Sequence, residues 1–83
     1  MSPVAFAQVM GAVCMVLGPV QGWQDGAAAL WTPAKGLHVA LKQQDGRLCL
    51  AAVGAFGRGA WPVETVADAL QRAHWVAENG RAA

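Results

Sequence analysis

The pair Asp45-Gly46 is the sequence feature that most constrains how this chain folds. It lies between two runs of alternating apolar residues, 37–44 and 47–54. Asp-Gly in this setting is a strong hairpin signal, because both residues accept the positive φ angles of a tight two-residue turn. The turn also sets which residues lie opposite each other in the two strands: Gln44 and Arg47, Lys42 and Cys49, Leu41 and Leu50, Val39 and Ala52.

The hairpin over residues 37–54 has two faces that both need to be covered. Successive side chains of a strand point to opposite faces, so the register sorts the hairpin residues into two sets. One face collects Leu37, Val39, Leu41, Leu48, Leu50 and Ala52. The other collects His38, Ala40, Lys42, Cys49, Ala51 and Val53. The Leu-rich set predicts a core face. The second set is apolar apart from His38 and Lys42, so we expect a helix or a partner to cover it.

Residues 3–17 are predicted to form an amino-terminal helix. Ser2 suits the N-cap and Pro3 the first helical position, and Gly18-Pro19 is a typical stop. Gln8 is the single polar residue inside this run. A bulky face is predicted at helical spacing, formed by Phe6, Val9, Met10, Val13, Val16 and Leu17. Two short strands remain the rival interpretation, because valines and a central glycine weaken a helix.

Residues 62–79 are predicted to form a carboxy-terminal helix that starts at Pro62 and ends at Asn79-Gly80. Its predicted core face consists of Val63, Val66, Ala67, Leu70, Ala73 and Ala77, and His74 is expected on the same side. The glycine-rich run 54–60 is predicted to be a connecting loop. A third strand is weakly indicated near residues 27–32, and it would support a hairpin that is marginal alone.

These elements predict an α+β domain spanning residues 1–83, with a small antiparallel sheet and a helix at each end. The α-β-β-β-α order is similar in outline to the double-stranded RNA-binding domain. That family has a lysine cluster at the start of its second helix. Residues 61–67 contain no basic residue and one acid, Glu64, so the shared order implies no RNA binding here.

Composition indicates more apolar surface than one small core can hide. Hydrophobic residues make up 55% of the chain and charged residues only 13%, against about 25% charged in a typical domain. The net charge of +1 offers no basic stripe, so a nucleic-acid partner is not favoured. The apolar run near the amino terminus would span about 25 Å as a helix, short of the ~30 Å of a bilayer core. A homo-oligomer or a larger protein partner is therefore expected.

The residues suited to chemistry are too scattered to predict an active site. The hairpin register separates His38 from Cys49 by about 13 Å, beyond hydrogen-bond reach. No metal-ligand spacing or cofactor motif is present, so neither a metal nor a cofactor is expected. Arg47 and Arg58 are the only candidates for weak anion binding. Cys14 and Cys49 are read as reduced thiols of a cytoplasmic protein, although an exported protein with a Cys14–Cys49 disulfide stays open.

The sequence therefore predicts a small, non-catalytic interaction protein, such as a regulator, an inhibitor or an assembly subunit. This prediction rests on the excess of apolar residues and on the lack of a recognisable catalytic or ligand-binding motif. The candidate interface residues are bulky and apolar: Phe6, Met10, Val13, Leu17, Trp23, Trp31 and Trp75. Two alternatives stay open, a membrane-associated protein inserted through residues 3–20 and a weak nucleic-acid-binding module that uses Lys42, Arg47 and Arg58.

Overall fold

The chain forms a five-stranded antiparallel sheet with two helices packed on one of its faces. The computed structural model describes residues 6–25 and 27–81, except for the side chain of Gln44. In order, the elements are α1 (Phe6–Leu17), β1 (Gly22–Gln24), β2 (Ala28–Ala34), β3 (Leu37–Gln44), β4 (Arg47–Gly54), β5 (Gly57–Val63) and α2 (Val66–Asn79). Neighbours in sequence are neighbours in the sheet, so β1 and β5 are its edges.

The predicted hairpin is confirmed as β3 and β4. Asp45 and Gly46 have φ angles of 54° and 76°, as a two-residue turn with two positive φ angles requires. The observed register pairs Gln44 with Arg47 and Lys42 with Cys49, and the Leu41–Leu50 and Val39–Ala52 pairs also form as predicted. The turn and the apolar alternation together were therefore sufficient to set both faces of the hairpin.

The core lies between the Leu-rich face of the sheet and the two helices. Leu37, Leu41 and Leu50 of the sheet are fully buried. Opposite them, α1 buries Val9 and Val13. The α2 helix completes the core with Ala69, Ala73 and Val76. We call this side of the sheet the helix face and the other side the open face, because both helices lie on the first.

The α1 helix ends as predicted, and its predicted start at residue 3 lies outside the described residues. Gly18 has a φ of +92° and donates its backbone N–H to the Cys14 carbonyl at 2.8 Å, which closes the last turn. The helix leaves Ala7, Gln8, Gly11 and Met15 exposed. Over the described residues, no helix has the length and apolar character that crossing a membrane requires.

The sheet is larger than predicted, by two strands. The predicted strand near 27–32 is present as β2, whereas β1 was not foreseen. Residues 57–63, predicted to be part of a loop and the first turn of a helix, form β5. Glycine and proline weaken a strand signal, but an edge strand tolerates both, because its outer backbone groups have no ladder partner to lose. The three-strand layout shared with the double-stranded RNA-binding domain is thus not the layout of this chain.

The second helix begins at Val66 and not at Pro62, because Thr65 caps it. The Thr65 side chain accepts the backbone N–H of Asp68 at 3.0 Å, and the Asp68 carboxylate accepts the N–H of Thr65 at 3.2 Å. This reciprocal capping box satisfies two backbone donors at the helix start. It also leaves Pro62 free to pair with Cys49 in the sheet.

The buried side of α2 is rotated from the one predicted. Val66 and Ala67 are exposed, and His74 is exposed too, although all three were expected on the core side. Ala69 and Val76 are fully buried in their place. Hydrophobicity alone favours the larger Val66 as a core residue, but small side chains let α2 pack closely against α1, so the alanines are buried.

Candidate functional site

The open face is a surface of three parallel rows of side chains that run across the strands. Its central row, which we call the floor row, follows register partners from edge to edge: Gly22, Leu30, Ala40, Ala51 and Ala60. Three of these five positions are alanine, so the middle of the face is apolar and low. Within residues 6–25 and 27–81, no helix lies over this row, because α1 and α2 both pack on the helix face.

Longer side chains form a wall on each side of the floor row. The first wall consists of His38, Val53 and Arg58, which are register partners on β3, β4 and β5. The second wall consists of Lys42, Cys49 and Pro62 on the same three strands. Val53 is 42% exposed, which is unusual for a valine in a central strand. Each wall thus combines an apolar residue with at least one basic side chain.

A shallow groove of about 440 Å³ lies on the open face. Its lining comes from every strand, from Gln24 on β1 to Arg58 on β5, and includes Ala40 and Ala51 of the floor row. His38 of the first wall and Lys42 of the second wall place basic groups on two sides of the groove. The groove therefore offers an apolar bottom with nitrogen donors along both margins.

The open face is basic, although the whole chain is nearly neutral. Lys42, Arg47 and Arg58 lie on it, half of the six Lys and Arg residues of the chain. All five acidic residues belong to the described part, and each lies in a turn, in the β5–α2 link or in α2. The net charge of +1 is therefore unevenly distributed: basic residues lie on the open face, and the acidic residues lie outside it.

Arg47 and Arg58, the predicted anion-binding candidates, lie on the same face of the sheet. The sequence placed Arg58 in a loop, so its position beside His38 and Val53 became visible only with β5. Gly57-Arg58-Gly59 contains no hydrophobic residue, and the run 60–63 that follows is apolar throughout, so no alternation indicated which face Arg58 would join. Sequence analysis therefore missed Arg58 as a partner of the hairpin.

Most of the predicted interface residues lie on the helix face. Val13 and Trp31 are 0% and 1% exposed, so they belong to the core of the single chain. Phe6, Met10 and Leu17 are partly buried against that core. Trp23 is 53% exposed on edge strand β1, where its ring lies 6.3 Å from that of Phe6. None of these side chains belongs to the open face.

Trp75 belongs to a cluster that joins α2 to the β4–β5 hairpin. Its ring stacks on Phe56 at 5.1 Å between centroids and meets the edge of Trp61 at 5.5 Å. The Arg72 guanidinium carbon lies 4.6 Å from the Trp61 centroid. Such contacts hold a helix to a sheet edge, so the cluster has a structural role although Trp75 is 38% exposed.

The residues with reactive side chains remain apart. His38 and Cys49 point to the open face from different walls, as the predicted register requires. Cys14 lies on α1, on the other side of the sheet from Cys49, and both thiols are free. Among the described residues, no three His, Cys, Asp or Glu side chains approach closely enough to hold a metal ion.

None of the protein-family models, curated proteins and solved structures compared with this chain matches it. The functional interpretation therefore depends on the geometry and the charge of the open face.

Proposed function

We propose that this protein is a small, non-catalytic interaction module that binds a partner protein through the open face of its sheet. The observation that carries the proposal is the position of the two helices. Both pack on the helix face, and this leaves the floor row and its walls uncovered. An exposed apolar surface rimmed by polar groups is typical of a protein-binding site.

The basic character of the face favours a different protein over a second copy of the chain. Two copies joined through their open faces would bring Lys42 and Arg58 of each toward the same groups of the other. Like charges brought together at an interface oppose association. Homo-oligomerisation through this face is therefore the less favoured form of the proposal.

Insertion of residues 3–20 into a membrane is less well supported than this interaction role. Val9 and Val13 of α1 are fully buried against the sheet and α2. Insertion would withdraw them from the core, and a domain of this size has few other buried residues to hold it together. The membrane alternative would thus require the protein to unfold.

Within the interaction role, the module would act as a regulator, an inhibitor or an assembly subunit in the cytoplasm. The two free cysteines support a reducing compartment.

Photo-cross-linking in the native host cells tests this proposal. A benzophenone amino acid at position 53, on the first wall, is expected to yield a discrete adduct with a partner protein. The matched position is 15, which is 83% exposed on α1, on the other side of the sheet from the open face. Replacement of Ala51 by aspartate in the floor row is expected to abolish the adduct at position 53, with the far-ultraviolet circular dichroism unchanged.

Ala60→Asp provides a second variant in the same row at the exposed edge, in case Ala51→Asp disturbs the sheet. Equal adducts at positions 53 and 15, or an adduct at position 53 that both aspartate variants leave intact, would contradict the proposal. An adduct at twice the mass of the chain would identify a second copy as the partner.

A further inference from the structure

The arrangement of charge on the open face defines the class of partner that it fits. We infer that the open face binds an amphipathic α-helix of a partner protein, one whose apolar stripe is flanked on both sides by Asp or Glu. This inference rests on the proposed function and makes it specific.

A sheet face offers side chains to a ligand, whereas a sheet edge offers backbone groups. The backbone N–H and C=O groups of β2, β3 and β4 are used in pairing with strands on both sides. A segment bound over the floor row must therefore satisfy its own backbone hydrogen bonds. An α-helix does so within itself, which is why amphipathic helices bind in apolar grooves.

The charges on the two walls require acidic groups on both flanks of that helix. Arg58 and His38 stand on the first wall, and Lys42 stands on the second. The floor between them is alanine-rich, so a helix can approach closely with its apolar stripe downward. Its side chains at either margin of the stripe then reach the basic groups, where carboxylates form charge-assisted contacts.

The dimensions of the face match one helix better than a folded domain. Five strands about 4.8 Å apart span about 19 Å, which equals the length of about 13 helical residues. β2 to β5 are about 23 Å long and β1, with three residues, about 10 Å, so the face covers roughly 380 Å². This is about half of the ~800 Å² that one partner contributes to a standard interface. A single helical segment bound reversibly fits this area.

The open face lacks the aromatic platforms on which single-stranded nucleic acids stack. All six Trp and Phe residues lie in the described part, on the helix face, in the helices or in the Phe56 turn. Sheet surfaces that bind single strands combine basic groups with exposed aromatic rings. The basic groups here surround alanines, and this arrangement favours a protein helix over RNA or DNA.

Fluorescence anisotropy with a labelled model peptide tests the inference. The probe is an amphipathic helix of about 18 residues with an Ala/Leu stripe and glutamates on both flanks. Wild-type protein is expected to bind it and to bind the matched peptide with lysines in place of the glutamates far more weakly. In Lys42→Glu/Arg58→Glu, affinity for the glutamate peptide is expected to fall by about tenfold or more, because both walls lose their positive charge.

The control is Gln8→Glu/Gln71→Glu, which changes the net charge in the same direction at exposed positions of α1 and α2, on the other side of the sheet from the open face. It is expected to bind the glutamate peptide within about twofold of wild type, since charges beyond about 10 Å are largely screened in physiological salt. The charge-reversed variant Lys42→Glu/Arg58→Glu also provides a gain-of-function check, because it is expected to bind the lysine peptide better than wild type does.

Several results would overturn the inference. They are no binding of the glutamate peptide at millimolar concentration, equal losses in Gln8→Glu/Gln71→Glu and in Lys42→Glu/Arg58→Glu, and tighter binding of an oligodeoxythymidylate or of anionic vesicles than of the peptide. A cross-link at position 53 that identifies a second copy would also overturn it. A position-53 adduct with another protein that survives Lys42→Glu/Arg58→Glu would refute the acidic helix and leave the interaction role intact.

Discussion

Replacing Val13 with aspartate is expected to unfold the protein. Val13 is 0% exposed, at the centre of α1 where it faces the sheet and α2. No polar side chain among the described residues is buried near it, so the carboxylate would have no partner. An uncompensated buried charge costs about 3–5 kcal/mol. This equals the whole stability at the lower end of the roughly 4–12 kcal/mol expected for 83 residues, where the small core of this chain places it. Circular dichroism and urea titration measure the loss.

The matched control is Met15→Asp, two residues along the same helix. Met15 is 83% exposed, so the charge stays in water and the change in unfolding free energy is expected within about 0.5 kcal/mol. A folded Val13→Asp protein that merely changed its oligomeric state in light scattering would contradict this account. That result would mean that the inner side of α1 forms an intermolecular interface.

The second large effect is expected for Trp31→Ala, with a loss of about 3–5 kcal/mol in unfolding free energy. Trp31 is 1% exposed on the helix face. Its indole Nε1 donates to the Gly18 carbonyl at 3.0 Å, at the point where α1 ends. The substitution therefore leaves a large cavity and also an unpaired carbonyl that the indole had satisfied.

Two further tryptophan variants separate these contributions. Trp31→Phe keeps most of the ring volume and removes the donor, so a smaller loss of about 1–2 kcal/mol is expected. Trp23→Ala is the exposed counterpart on β1, at 53% exposure, with an expected loss below about 1 kcal/mol. Comparable losses for Trp31→Ala and Trp23→Ala in urea titration would show that Trp31 does not anchor α1 to the sheet.

The hairpin was predictable because several local signals agree there. Asp45-Gly46 specifies the turn, and the alternation on both sides specifies the register. A slip by one residue would have moved Leu41 and Leu50 from the core to the open face. The capped end of α1 at Gly18 was predictable for the same reason, since a glycine that accepts positive φ follows the last apolar residue.

The β5 strand was not predictable from its own residues. Gly57, Gly59 and Pro62 are poor strand formers, and their pairing with β4 depends on tertiary context. Pro62 also mimics a helix start, and so the prediction began α2 four residues too early. The Thr65 and Asp68 capping box was a competing signal in the sequence, and it is the one that the structure follows.

The open face was only half predictable. The hairpin register placed His38, Ala40, Lys42, Ala51 and Val53 together. The prediction that the first helix could cover them is wrong, because α1 packs on the helix face. The addition of Arg58 and Ala60 depended on β5, and the uncovered state of the face depended on both helices choosing the other side. No local pattern determines which side a helix packs on; the burial of Val9 and Val76 against the Leu-rich face does.

The central claim is that the open face is the binding surface of this protein, and nuclear magnetic resonance titration tests it most directly. The measurement follows the backbone amide shifts of ¹⁵N-labelled protein as the glutamate-flanked helical peptide is added. The account predicts that the largest shifts fall on the floor row and on both walls, with those of Ala51 and Val53 prominent and those of α1 unchanged. Shifts concentrated around Arg72 and Trp75, or along α1, would contradict it.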